Sequence, residues 1–95
     1  MRVIIKEPGK AGHVIEVKNE LEELQRIVGG YIEAVPLFPN LVVICNEDGR
    51  LQGLPYNCEI CGIIFVGTIL LAGVDGPEFD DVPMEFADLI EEVQA

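Results

Sequence analysis

Two cysteines, Cys58 and Cys61, stand with two residues between them, the spacing of half a tetrahedral zinc site, and His13 or Cys45 can supply a further imidazole or thiolate. A second pair at matching spacing is missing, so ordinary reduced thiols are the favoured reading and no metal or cofactor is assigned. A thioredoxin-type role needs the pair at the start of a helix, whereas this pair precedes a strand-like run. Gly29-Gly30 leads out of a helical pattern rather than from a strand into one, the reverse of a phosphate-cradling loop. Asn46, Glu47 and Asp48 cluster oxygen ligands, yet a calcium loop needs twelve residues with acids at fixed positions, and a solvated turn is the simpler reading. With one histidine and no serine there is no hydrolytic triad to build, and no catalytic residue is assigned.

Charge is the other feature that bears on chemistry. Asp75 to Ala95 hold eight carboxylates and no Lys, Arg or His, which makes DNA, RNA and anionic lipid poor direct ligands for this end and a basic protein surface a good one. Asp81, Glu85, Asp88 and Glu92 follow a spacing of four, three and four, which places them on one ridge of an expected helix and makes them protein-binding candidates. An acidic DNA mimic that occupies a restriction enzyme is an alternative. Duplex DNA presents one charge per ~1.7 Å of axis, and four carboxylates over three helical turns give one per ~5 Å, so a single ridge is sparse and a dimer would come nearer. A solvated face that aids solubility explains the same residues.

The elements that must position these groups follow from periodicity and punctuation. Arg2 to Lys6 and His13 to Lys18 are β-branched runs around Glu7-Pro8-Gly9-Lys10-Ala11-Gly12 and predict an opening hairpin. Asn19 is the expected cap of a helix whose Leu21, Leu24, Ile27 and Val28 form one apolar stripe, ended by Gly29 and Gly30. Tyr31 to Leu37 and Leu41 to Cys45 predict two strands, with Pro36 placing the first at a sheet edge or ending it. The Asn46-Glu47-Asp48-Gly49 turn is expected to return the chain through a strand at Arg50 to Leu54. Ile60 to Val74, fifteen residues interrupted by Gly62, Gly67 and Gly73, reads as a long buried strand and is short of the roughly 18 residues that a membrane span needs. Asp75-Gly76-Pro77 is expected to stop the sheet, and Asp80 or Asp81 to cap the final acidic helix.

The strings Glu7-Pro8-Gly9-Lys10, Leu24 to Glu33, Cys45-Asn46-Glu47-Asp48-Gly49, Leu54-Pro55-Tyr56-Asn57 and Val66-Gly67-Thr68 resemble domain-of-unknown-function family 3846. These are short proteins of mainly Gram-positive bacteria, their phages and conjugative elements. The resemblance runs from the first strand to about Gly73, and it implies a mobile-element setting without implying a particular activity, substrate or cofactor. The Cys58-Glu59-Ile60-Cys61 insert and the acidic tail depart from the family pattern. Tyr31, Glu33, Asn46, Glu47 and Asn57 lie in or beside the resembling segments as polar groups near strand ends, and are the candidates for a small-ligand pocket. Structural roles explain the same residues: Asn46 and Asn57 as turn formers, Glu33 as an exposed strand residue, Tyr31 as a half-buried aromatic.

Ninety-five residues, about half of them apolar, fit a single domain, 1–95. The expectation is an α+β fold: a mostly antiparallel five- or six-stranded sheet packed with two helices. Three cysteines, and a first segment too broken by charge for an export signal, point to the cytoplasm. Residues 1–18 carry Arg2, Lys6, Lys10 and Lys18 against Glu7 and Glu16, and the rest of the chain carries Arg26 and Arg50 against the other acids. Head-to-tail homo-oligomerisation is therefore an open reading, limited by screening beyond about 10 Å. The functional expectation is a non-enzymatic protein that binds a host protein or sequesters a small molecule, with a small metabolic or nucleotide-processing enzyme as an alternative.

Overall fold

The computed structural model describes residues 1–86 of the 95-residue chain. Eight strands and one α-helix follow in the order β1 (Arg2–Lys6), β2 (His13–Glu16), α1 (Leu21–Val28), β3 (Ile32–Phe38), β4 (Leu41–Asn46), β5 (Tyr56–Ile60), β6 (Ile63–Val66), β7 (Ile69–Asp75) and β8 (Glu78–Asp80). A 3₁₀ turn at Met84–Phe86 ends the described chain.

Six strands form one sheet in the order β2-β1-β7-β4-β3, with β8 also paired to β7, and every pairing is antiparallel. Gly73 of β7 faces Leu41 of β4 on one side and Asp80 of β8 on the other, so β8 takes the flank of β7 beyond the start of β1. The two central strands are apolar on both faces because both faces are covered. On one face Val42, Ile44, Leu70 and Ala72 meet Leu24 and Val28 of α1. On the other Leu41, Val43, Ile69 and Leu71 meet Cys58, Ile60 and Phe65 of a separate two-stranded ribbon, β5-β6. Each fully buried aliphatic side chain here is worth about 1.5–3 kcal/mol, and the layers are helix, sheet and ribbon.

Local chemistry sets the helix ends. The N-cap is Glu20, which makes no side-chain cap bond; the expected cap, Asn19, instead donates from Nδ2 to the Phe79 carbonyl and links the helix entry to β8. At the other end Gly29 adopts the left-handed conformation, φ 81°, and its N–H bonds Gln25 O. Gly30 is constrained by space: a Cβ there would lie 2.9 Å from Asn46 Nδ2.

Four further expectations are corrected. The Ile60 to Val74 run is two strands in different layers, β6 in the ribbon and β7 in the sheet, with Gly67-Thr68 between them. Arg50 to Leu54 is not a strand, because its amides close back on the loop: Gln52 N to Asp48 O, Gly53 N to Arg50 O and Leu54 N to Gly49 O. Gly76-Pro77 does not end the sheet but turns β7 into β8.

The fourth concerns the helices: α1 is the one α-helix among the described residues, so two helices packed on one five- or six-stranded sheet gives way to one helix, a six-stranded sheet and a ribbon. The start expected for the acidic helix is held extended instead. Val82 N donates to Arg2 O, and Arg2 N donates to Asp81 Oδ1, so the carboxylate expected to cap first-turn amides serves β1. Met84–Phe86 follow as a 3₁₀ turn, and the expected helix from residue 87 on lies outside the described residues.

This crossing of residues 80–82 over β7 depends on Gly73, where an added Cβ would lie 2.2 Å from the Asp81 backbone oxygen. Gly73→Ala is therefore expected to lift the segment, pull Val82 from the core and cost about 3 kcal/mol, the upper part of the overpacking range. Urea unfolding measures it, and a loss below about 1 kcal/mol would show that the crossing tolerates a side chain.

Candidate functional site

The end of the sheet where β3 begins and β4 finishes carries a cleft of about 200 Å³. Its floor is the ribbon-side face of the sheet, with Glu33 and Val35 from β3 and Cys45 from β4. One wall is β6, Ile63 to Val66, and the mouth is the turn-rich loop after β4, with Glu47, Arg50 and Leu51. Leu51 is 89% exposed, and Ile63 and Ile64 are also exposed, so the mouth is apolar as well as charged. Arg50 Nη2 donates to Ile64 O and so joins loop to wall.

Asn46 builds the loop. Its Oδ1 accepts from Asp48 N, and its Nδ2 donates to Val28 O at the end of α1 and to Gln52 Oε1. One carboxamide thus ties helix, strand end and loop together. On the far side of the loop Gln25, Gly30, Tyr31, Asp48 and Gln52 surround a shallower hollow of about 260 Å³.

Of the five ligand-binding candidates, Glu33, Asn46 and Glu47 line the cleft, and Tyr31, 68% exposed, lines the neighbouring hollow. Asn57 lies elsewhere, buried beneath the ribbon, where Nδ2 donates to Lys6 O and Gly67 O. Of the four protein-binding candidates, Asp81 accepts from Arg2 N and Glu85 accepts from Asn40 Nδ2. These two do not share an α-helical ridge, and Asp88 and Glu92 lie outside the described residues. Arg50 and the apolar wall were not picked out from sequence. The signal for Arg50 was its scarcity, since Arg26 is the only other basic residue after Lys18.

The cysteines are dispersed. Cys45 and Cys58 are buried in the ribbon-side core and Cys61 is exposed on the turn between β5 and β6, while His13 lies on β2 at the other edge of the sheet. Among the described residues no three His, Cys, Asp or Glu side chains gather as metal ligands. Burial, and then the neighbouring Glu33 carboxylate, push the Cys45 thiol up to about 11. Its Sγ donates to Glu33 O at 3.7 Å and reaches Oε1 at 3.9 Å. Burial also raises Cys58, opposed by the attraction of the Lys6 ammonium. Both groups are thiols rather than thiolates at neutral pH, and the cleft holds a weak donor where a nucleophile would need a depressed pKa.

Two outcomes follow. Asn57→Leu leaves the Lys6 and Gly67 carbonyls buried without their donor, at about 1–3 kcal/mol each, so a loss of about 3 kcal/mol is expected. Hydrogen exchange should open β5 and β6 before β4 and β7, and unchanged protection in the ribbon would disprove the link. Cys45 is raised in the folded state from 9.0 to about 11, so its contribution is complete below pH 9 and lost as pH rises through about 11. Unfolding free energy should fall more steeply over that window in the native protein than in Cys45→Ser, and parallel curves would refute it.

No helix among the described residues is long and apolar enough to cross a membrane. Neither the curated proteins nor the solved structures contain a match to the chain. The sequence model described as Domain of unknown function (DUF3846) matches residues 1–94, and the chain belongs to that family.

Proposed function

We propose that this is a non-enzymatic binding protein of a phage or mobile element, acting in the cytoplasm of its host, which holds a small ligand in the cleft between β3 and β6 and so withdraws it from a host process. The observation that carries the reading is convergence. Glu33 of β3 and the consecutive pair Asn46-Glu47 at the end of β4 are apart in the sequence, yet they line one concavity together with Arg50 and an apolar wall. An apolar cleft with a few polar groups converging on it is the usual form of a small-molecule site. Asp81 and Glu85 carry less weight as a protein-binding surface, because each carboxylate already accepts a bond from its own chain.

The binding surface sits on supported elements. Asn46 fixes the loop through three hydrogen bonds, and the floor belongs to strands paired in the main sheet. Rigidity of this kind lowers the ordering cost of binding.

A metabolite panel read by thermal shift tests the proposal, with Ile64→Trp as the variant that fills the mouth. A ligand at a hundredfold excess over its Kd stabilises the folded state by about 2.7 kcal/mol, which should raise Tm in the native protein and not in the variant. Equal shifts in both proteins would place binding outside the cleft, and turnover of the ligand instead of stoichiometric capture would replace binding with catalysis.

A further inference from the structure

The charges of the cleft carry a more specific inference, which rests on the binding reading above. Among the described residues the ion pairs are the Met1 ammonium with Glu16, Lys10 with Glu7 and Arg26 with Glu23. Glu33, Glu47 and Arg50 take part in none of them, although all three line the same cleft. Among the described residues Arg50 shares the lack of a carboxylate partner with Arg2, Lys6 and Lys18, and of these four it is Arg50 that lines the cleft. Its bond to the Ile64 carbonyl engages a neutral acceptor and occupies one of five guanidinium donors. That bond holds the group against the wall without neutralising it.

We propose that the cleft takes a small zwitterion with an apolar body: an ammonium group toward Glu33 and Glu47, a carboxylate at Arg50, and an aliphatic or aryl portion against Val35, Ile63 and Phe65. Each part of the site excludes a competing class. A polyanion meets two carboxylates and a net charge of -11, and a dication meets Arg50. A neutral apolar molecule leaves all three charges without partners. An ammonium offers three donors to carboxylate oxygens, and a guanidinium presents the fork that matches a carboxylate. Size narrows the class further: about 200 Å³ falls below the ~300–1,000 Å³ of drug-sized sites, so the ligand is of the order of one free amino acid.

The test uses the full chain, ¹⁵N-labelled, titrated with L-leucine and L-phenylalanine as zwitterions, with their N-acetyl forms as anions and their amides as cations. The zwitterions should shift the amide resonances of Val35, Cys45 and Ile64, and each single-charge derivative should bind at least ~10-fold more weakly, the equivalent of about 1.4 kcal/mol. Glu33 and Arg50 are both exposed, so Glu33→Gln and Arg50→Gln should keep the native spectrum. Arg50→Gln should bring the zwitterion down to the affinity of its amide, and Glu33→Gln should bring it down toward that of the N-acetyl form. Derivatives that bind as well as the zwitterions, or an Arg50→Gln protein of undiminished affinity, would overturn the inference. So would a cleft whose resonances move only with inorganic phosphate or a nucleoside, and that result would leave the binding reading in place. Resonances that answer to none of these probes overturn the zwitterion as well, and the wider panel with Ile64→Trp then decides separately whether the cleft binds anything.

Discussion

A single buried carboxamide holds the ribbon to the sheet. Asn57 Nδ2 bridges Lys6 O, at the end of β1, and Gly67 O, at the turn from β6 into β7, with bonds of 2.8 and 2.6 Å. Lys6 pairs in the main sheet with Ile69, the first residue of β7 after the Gly67-Thr68 turn, whereas Asn57 belongs to β5 of the ribbon. Net hydrogen-bond energies are modest, about 0.5–1.5 kcal/mol each, but a buried carbonyl left without a donor costs more. The bond therefore acts mainly by making other positions of the ribbon unfavourable. Phe65 and Ile60 can pack on β4 and β7 only where the ribbon is set down, and the cleft wall is the outer strand of that ribbon.

The same logic governs the opposite end. A helix of eight residues is too short to be stable alone, and its burial of Leu24 and Val28 is concentrated over the centre of the sheet. Asn46 locks the helix exit by accepting no freedom at Gly30, whose missing side chain is where the carboxamide sits. Two asparagines of a type usual in turns thus serve as internal ties, one beneath the ribbon and one beneath the loop. Each lies immediately beside a cysteine of the ribbon-side core, Asn46 after Cys45 on β4 and Asn57 before Cys58 where the register of β5 shifts.

Much of this was legible in the residues and some of it was not, for reasons that are local. The opening hairpin, the apolar stripe of α1 and its glycine exit depend on interactions within a few residues, and they appear where the pattern puts them, except that Leu21 of the stripe is exposed. Pro36 marked an edge strand, and β3 does pair on one side only. The Ile60 to Val74 run defeated periodicity because a strand covered on both faces and a ribbon strand resting on the same core are equally apolar. The acidic segment misled because helical spacing of charges says nothing about Arg2, whose backbone captures Asp81 and Val82 from 79 and 80 positions away. Asn57 was grouped with pocket residues by its type and neighbourhood, and only the fold places it under the ribbon. Glu33, Asn46 and Glu47 share a cleft because the register of β3 on β4 sets Glu33 opposite Cys45 and Ile32 opposite Asn46, a pairing that no local signal encodes.

That register also bears on what kind of chemistry the cleft favours. Glu33 opposite Cys45 places a carboxylate beside a thiol, and the result is a protonated sulfur that donates rather than attacks. A nucleophile would need the reverse arrangement, a cation or a helix N-terminus at the sulfur. The cation available, Arg50, is tied to Ile64 across the mouth, and the ammonium of Lys6 lies by Cys58, deep under the ribbon. Arg50 is thus paired with neither Glu33 nor Glu47, and the charge beside the Cys45 sulfur is a carboxylate, on walls fixed by Asn46 and Asn57. An arrangement that keeps opposite charges unpaired across an apolar gap is poor at activating an atom and well suited to a ligand that supplies both missing partners.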